Sequence, residues 1–208
     1  MCFANYGVMV LLPELFGQEH RANPHFLLRR HGAEEVAVSL SHHDYMTLLY
    51  IACLSLPAMA TLSVLHVYFA PPRRMLLRLA FAVASASLVS LATLIHHAGG
   101  ANKVGNKMLL AAMCGLCAIS MSMSSSMCWM YTSEVYPTSV RATGHAAANS
   151  VARLGAILAP YADTVHLLQG NTHASALLMF ATACVLGLLA TLTLRIETTG
   201  RTLKDAVE

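Results

Sequence analysis

Charged side chains are scarce in this sequence of 208 residues. Asp, Glu, Lys and Arg together make up 11 % of it, whereas soluble domains carry roughly 25 %. Together with 56 % hydrophobic residues, this scarcity excludes an intrinsically disordered chain and argues against a soluble globular domain. The formal net charge of +3 is too small to indicate a nucleic-acid partner. The composition therefore favours a membrane protein.

The sequence also lacks the patterns that mark catalytic and metal-binding sites. It shows no nucleophile triad, no glycine-rich phosphate loop and no paired-carboxylate site. The six cysteines mostly lie inside apolar runs, where they behave as small hydrophobic residues and do not form a disulfide framework. We therefore expect no enzyme activity, no cofactor and no metal ion.

Long runs without any Asp, Glu, Lys or Arg are the main positive signal. One membrane-spanning helix takes about 20 apolar residues, so six spans need about 120 residues and twelve need about 240, more than the chain contains. We predict an all-α membrane protein with six transmembrane helices. The predicted spans are 2–16, 45–70, 79–97, 108–133, 142–165 and 174–194, followed by a cytosolic tail at 195–208.

The first predicted span is short for a bilayer. Fifteen residues rise about 23 Å, whereas the hydrocarbon core is roughly 30 Å thick. Our hypothesis is that the sequence begins inside a helix that is longer in its relatives. Six spans place both termini on one side of the membrane. Lys and Arg are more numerous in the segments on that side, which predicts that both termini are cytoplasmic.

Three charged residues near the last spans need an explanation. Glu134 ends one span, and Arg141 opens the next span after a turn at Pro137. Arg153 lies more than two helical turns into that next span, where a charge at mid-bilayer costs about 2.5 to 3.5 kcal/mol. Arg153 therefore needs a partner or a water-filled cavity. We interpret these three residues as parts of a structural gate.

The span 142–165 carries a polar stripe. His145, Asn149 and Arg153 follow one another at intervals of four residues, which places them near one face of a helix. A strip of small residues runs beside this stripe: Gly144, Ala148, Ala152 and Gly155. Such a helix turns one face toward protein or a polar interior, because lipid cannot satisfy polar groups. We expect His145 and Asn149 on a substrate pathway.

Polar residues on the span 108–133 have two interpretations. Ser120, Ser124 and Tyr131 fall near one face, with methionines interleaved. Hydroxyl groups and flexible methionine side chains suit an adaptable passage for a solute. The alternative is that the serines only pack helices together, as small residues do in membranes.

Asp163 is an acidic residue near the end of the span 142–165, beyond Pro160 and on the same extended face as Arg153. One interpretation gives it a role in proton coupling, because carboxyl groups inside membrane spans form proton relays. The other interpretation is that Asp163 marks the outer end of the helix. The sequence leaves both interpretations open.

Three segments resemble the major facilitator superfamily of transporters. The string from Tyr131 to Pro160 resembles the tenth and eleventh helices of these proteins. The tail 197–203, Glu-Thr-Thr-Gly-Arg-Thr-Leu, resembles the signature after their twelfth helix. The motif 5–7, Asn-Tyr-Gly, followed by Glu-Leu-Phe at 14–16, resembles their seventh helix. The match is to the sugar and organic-ion porter branch, particularly its synaptic-vesicle transporter-like members, and it covers the carboxyl-terminal half of such a protein.

This resemblance implies roles for particular residues. It places Glu134, Arg141, Glu197 and Arg201 in a cytosolic charge network that locks one state of the carrier, and Arg153 at the position of a helix-eleven arginine. It also places Asn5 and Tyr6 on the candidate substrate pathway. The loop after the second span departs from the family pattern Asp-Arg-x-Gly-Arg-Arg, because only the basic pair at 73–74 remains.

The resemblance implies alternating access between two six-helix bundles. The leading hypothesis is transport of a small organic solute, with this chain as the carboxyl-terminal half of a carrier. The alternative is a non-transporting membrane remnant or a six-helix bundle that binds a partner. The expected partners are the lipid bilayer, the solute and a second six-helix bundle or another copy of the chain. The sequence does not distinguish the plasma membrane from a vesicle membrane.

Overall fold

A computed structural model describes residues 1–21, 42–69, 72–100, 104–105, 107–168 and 172–194. These residues form six α-helices and no strand. The helices are α1 (Cys2–Arg21), α2 (His42–Phe69), α3 (Arg73–Ala98), α4 (Lys107–Val135), α5 (Thr138–Leu168) and α6 (His173–Leu192). The predicted all-α class and the predicted number of helices are confirmed.

All six helices differ in their bounds from the predicted spans, most at the end of α1 and at the start of α3. α1 continues to Arg21 and has 20 residues, but its apolar stretch is Cys2–Phe16, which remains shorter than the roughly 30 Å hydrocarbon core. α3 begins at Arg73 instead of at 79. The prediction began after Arg78 because it used only the absence of charge, whereas backbone hydrogen bonding continues through charged residues. The predicted tail, 195–208, lies outside the described residues.

Three of the helices in the described part of the chain are long and apolar enough to cross a membrane. They are α3, α4 and α6, with mean hydropathies of 1.9, 1.7 and 2.2 over their most apolar windows. α1 and α2 contain shorter apolar stretches, Cys2–Phe16 and Tyr45–Thr61. α5 is not among these helices, and it carries Arg141, Arg153 and Asp163.

The bundle is organised around α3, which packs most extensively against α6 and α4. α1 packs along α5 and also contacts α6, whereas α2 packs against α4. The core contains Leu88 and Leu91 of α3 and Phe180 of α6, each 0 % exposed. α1 approaches α6 closely because Gly7 has no side chain, and the ring of Phe180 occupies the space that a Cβ atom would take.

The ends of α3 and α6 are fixed by specific contacts. α3 ends at Ala98 and is capped by Gly99, whose φ of 71° is a left-handed conformation that glycine adopts without strain. Arg78 donates hydrogen bonds from its guanidinium to the carbonyl oxygens of Thr191 (3.4 Å) and Leu192 (3.5 Å). These carbonyls belong to the last turn of α6, where a cation also offsets the negative end of the helix dipole. Arg78 therefore joins two helices that are distant in sequence.

Candidate functional site

A cavity of about 300 Å³ lies where α1, α4 and α5 meet. This volume is at the lower end of the range for small-molecule pockets. Its lining residues are Met1, Cys2 and Phe3 of α1, Ser125, Cys128, Trp129 and Thr132 of α4, and Ala148, Val151, Ala152 and Gly155 of α5. The lining is mostly apolar with two hydroxyl groups, which suits a small organic molecule.

The small residues of α5 create the space for this cavity. Ala148, Ala152 and Gly155 belong to the small-residue strip that the sequence predicted, and all three line the cavity. At Gly155 the backbone nitrogen of Phe3 lies 3.3 Å from the position of a Cβ atom. α1 and α5 are therefore nearly in backbone contact there, and the cavity extends from this contact toward α4.

Trp129 forms the aromatic wall of the cavity. It is the one tryptophan in the sequence, and its ring centroid lies 5.0 Å from that of His145 with a tilt of 52°. The Nδ1 atom of His145 is buried and has no hydrogen-bond partner among the described residues. The imidazole thus supports the indole from α5, and the exposed part of the indole (37 % of the residue) offers a flat surface to a ligand.

The residues predicted for the substrate pathway lie on the same helices as the cavity but do not line it. Tyr6 and Asn5 are neighbours of the cavity residue Phe3 along α1; Tyr6 is exposed and Asn5 is half-buried. Asn149 is half-buried on α5, whereas Arg153 is exposed. Four residues of a helix turn about 40° beyond a full circle, so the stripe from His145 to Arg153 winds from the buried side of α5 to its exposed side.

The predicted serines, Ser120 and Ser124, are buried where α4 packs against other helices. Ser120 is 2 % exposed, and its hydroxyl lies 2.9 Å from that of Ser87 on α3. Ser124 is 0 % exposed and donates a hydrogen bond to the carbonyl of Ser120 at 2.8 Å. Tyr131 packs in a buried cluster with residues of α3. This geometry corresponds to the packing interpretation of the serines.

Sequence reasoning missed Ser125, Trp129 and Thr132 as the wall that α4 contributes to the cavity. They follow at intervals of four and three residues and therefore share one face of the helix. The signal was available, because the one tryptophan of the chain stands on this face opposite the predicted small-residue strip. The wall was missed because the sequence alone does not specify how α4 is rotated relative to α5.

Glu134, one residue of the predicted gate, forms an ion pair at the end of the bundle where α3 starts and α4 ends. The guanidinium Nη2 of Arg73, at the start of α3, lies 2.9 Å from Oε1 of Glu134, near the end of α4. Both side chains are about one-fifth exposed, at 21 % and 23 %. Arg73 also contacts the sulfur of Met130. Arg73 belongs to the basic pair at 73–74, the part of the family's loop pattern that this chain retains. This pair therefore supplies the ion-pair partner of Glu134.

Arg141 has a different partner from the one that the charge network implied. Its Nε donates a hydrogen bond to the carbonyl of Tyr136 at 3.3 Å, so it stabilises the turn between α4 and α5. Its Nη2 is buried without a hydrogen-bond partner among the residues that the structure covers. Glu197 and Arg201, the remaining residues of the predicted network, lie outside the described residues.

No group of three or more His, Cys, Asp or Glu side chains is arranged to hold a metal ion within the described ranges. The site consists instead of a mostly apolar cavity and, at the end of α3 and α4, an ion pair. Together with six helices, three of which are long and apolar enough to span a bilayer, these features define a polytopic helical membrane protein with room for a small molecule.

Comparison with known sequences identifies the family. The family model described as "Sugar (and other) transporter" matches residues 46–208, and the chain belongs to this family. The resemblance to the sugar-porter branch of the major facilitator superfamily is therefore confirmed. The expectation that the chain is not an enzyme is also confirmed, because this family consists of transporters. The chain is accordingly an integral membrane protein.

Two relatives show how much of a longer protein the chain matches. It is 30 % identical over 209 residues to the synaptic vesicle 2-related protein of Rattus norvegicus, an alignment that covers 98 % of this chain and 35 % of the relative. It is 40 % identical over 77 residues to the Homo sapiens protein named "Putative transporter SVOPL", covering 37 % of this chain and 15 % of the relative. The chain thus spans about a third of the length of the rat relative.

Proposed function

We propose that this chain is the carboxyl-terminal half of a carrier that moves a small organic solute across a membrane by alternating access. The observation that carries the proposal is the cavity between α1, α4 and α5, with the ring of Trp129 on one side and a strip of small residues on the other. Membership in a transporter family supports it. A second six-helix bundle, or a second copy of this chain, supplies the opposite wall of the pathway.

In this proposal the gate lies at the end where α3 starts and α4 ends. The Arg73–Glu134 ion pair holds these helices together, and Arg141 fixes the turn into α5. Breaking the ion pair releases the start of α3 from the end of α4, next to the turn that leads into α5. Arg153, Glu197 and Arg201 complete the proposed network toward the second bundle. Both termini are assigned to the cytoplasmic side, where this gate closes the inward path.

The single tryptophan allows a direct binding test. The purified full chain in lipid nanodiscs is titrated with glucose, choline and lactate, which represent neutral, cationic and anionic solutes, while Trp129 fluorescence is recorded. We expect a saturable change with one class of solute, because a ligand in the cavity changes the surroundings of the indole. No change with any class would contradict the proposed binding site.

Matched variants locate the binding. Ala152→Leu places a larger side chain in the cavity and should abolish the fluorescence response, because Ala152 lines the cavity. Ala147→Leu makes the same change at an exposed position of α5 outside the cavity lining, so the response should persist. A response that survives Ala152→Leu would show that the solute binds elsewhere.

Uptake into liposomes tests transport itself. The reconstituted chain should accumulate the solute that alters Trp129 fluorescence, and Arg153→Ala should reduce the rate because it removes a proposed gating charge. Binding without uptake by a well-folded sample would favour the alternative, a six-helix membrane protein that does not transport and binds a partner.

One observation favours that alternative. α5 exposes several large apolar side chains beside the charged Arg153: Val151, Leu154, Ile157, Leu158 and Tyr161. A surface that mixes a charge with large apolar groups suits a protein partner better than lipid. Chemical crosslinking in native membranes tests whether another protein covers this surface, since a strict monomer would argue against both a second bundle and a partner-binding role.

A further inference from the structure

Asp163 of α5 is the one charged side chain that is fully buried among the described residues. It is 1 % exposed, and its Oδ1 has no hydrogen-bond partner among them. A buried carboxylate without a partner is costly, because water no longer solvates its charge and no donor replaces the water. Ala159, one helical turn earlier, is also fully buried, so Asp163 points into the bundle.

The neighbouring helix adds a second negative charge. Glu14 lies half-buried on α1, which packs along α5, and its charge repels a negative charge on Asp163. Neither carboxyl group forms an ion pair with a described basic residue. A negative charge on the packed helix makes ionisation of the buried Asp163 still less favourable, because the repulsion adds to the cost of desolvation.

Other titratable groups on the helices around α5 define the electrostatic setting. His173 begins α6 and Lys107 begins α4, both at the end of the bundle toward which α5 runs. On α5 itself, Arg153 is ten residues before Asp163, about 15 Å along the helix axis. Among the charged groups of the described residues, Glu14 is the one whose charge acts on Asp163.

We propose that Asp163 and Glu14 form a proton-binding site in the contact between α1 and α5, in which Asp163 carries the proton. Protonation converts the Asp163 carboxylate and one proton into a neutral carboxyl group, which removes the buried charge and the repulsion from Glu14 together. The proton returns to water when the contact between α1 and α5 opens. Its exchange during a transport cycle rests on the proposed transport function, whereas the site itself does not.

Infrared spectroscopy of the purified full chain in nanodiscs tests the site without any solute. Spectra are recorded from about pH 5 to about pH 9, a range that lies above the usual carboxyl pKa. At the low end of this range the native chain should show the C=O stretch of a protonated carboxyl group, and at the high end this band should be absent. Asp163→Asn should remove the band. Glu134→Gln should leave it unchanged, because Glu134 is ion-paired with Arg73.

Glu14→Gln supplies a second test that retains Asp163 and so remains informative if Asp163→Asn does not fold. Removal of the repelling charge should make the band disappear at a lower pH than in the native chain. A band that persists in Asp163→Asn, or a pH dependence that Glu14→Gln leaves unchanged, would overturn the proposal. An Asp163 that is ionised throughout and stabilised by added sodium would also overturn it, in favour of a metal cation. Because no solute is used, failure here is distinguishable from failure of transport.

Discussion

α3 and α5 are both long helices of one bundle, yet they differ in how many of their residues are buried and in how many helices they pack against. α3 buries ten residues against its neighbours: Leu77, Ala80, Phe81, Ala84, Ser85, Ser87, Leu88, Leu91, Ala92 and Ile95. α5, although longer, buries only Ala159 and Asp163 among its described side chains, those of 138–165. α3 packs on both α4 and α6, whereas α5 packs mainly on α1.

This difference indicates that α3 is the scaffold of the bundle and that α5 forms a binding surface. The residues of α3 are fixed by close packing, so changes there should alter stability. The residues of α5 line a cavity on one side and present apolar groups on the other, so changes there should alter binding and partner contacts. The comparison predicts that equal substitutions in the two helices have unequal effects on the free energy of unfolding.

The largest difference is expected for leucine truncation. Leu88→Ala in α3 should lower the free energy of unfolding by about 2–5 kcal/mol, because Leu88 is 0 % exposed and its removal leaves a cavity. Leu158→Ala in α5 should lower it by less than about 0.5 kcal/mol, because Leu158 is 56 % exposed. Equilibrium unfolding in detergent measures both values, and equal losses would refute the distinction between scaffold and surface.

The second-largest change in the free energy of unfolding is expected when the core contact between α1 and α6 is overpacked. Gly7→Ala places a methyl group where the ring of Phe180 now lies, and the expected cost is about 1–3 kcal/mol. Gly115→Ala is the matched control between α4 and α2, because its nearest atoms are 3.9 Å and 4.0 Å away in Leu54 and Ile51. The control should be neutral or stabilise the helix by up to about 1 kcal/mol. Thermal unfolding of the two variants compares them directly.

Features that lie within one helix could be predicted from the sequence, whereas contacts between helices could not. Four of the six helices were predictable because their charge-free runs are longer than a soluble core requires, whereas the run 2–16 is short and the span 142–165 is interrupted by Arg153 and Asp163. The small-residue strip of Ala148, Ala152 and Gly155 was predictable because its spacing repeats within one helix. The α4 wall of the cavity and the Arg73–Glu134 ion pair depend on how helices distant in sequence rotate and meet, which no local pattern records.

The ion pair between α3 and α4 should have an intermediate effect. Glu134→Gln should reduce the free energy of unfolding by about 1 kcal/mol, because both partners are partly exposed and water screens their attraction. A double-mutant cycle with Arg73→Gln isolates the coupling between the two residues. Arg141→Gln combined with Glu134→Gln should show additive losses, since Arg141 bonds to the carbonyl of Tyr136 instead. Coupling with Arg141 and none with Arg73 would contradict the described pairing.

The smallest predicted effect concerns the serines. Ser120→Ala breaks the hydroxyl contact with Ser87 that joins α4 to α3, and hydrogen bonds between membrane helices contribute about 0.6 kcal/mol on average. Ser150→Ala is the control on α5, because that exposed hydroxyl donates a hydrogen bond within its own helix, to the carbonyl of Ala146. Unfolding should therefore detect Ser120→Ala and not Ser150→Ala. If solute binding at Trp129 also remained unchanged in Ser120→Ala, the serine would act in packing alone, and the scaffold would include the face of α4 that contacts α3. A loss of binding in this variant would instead extend the solute pathway to that face.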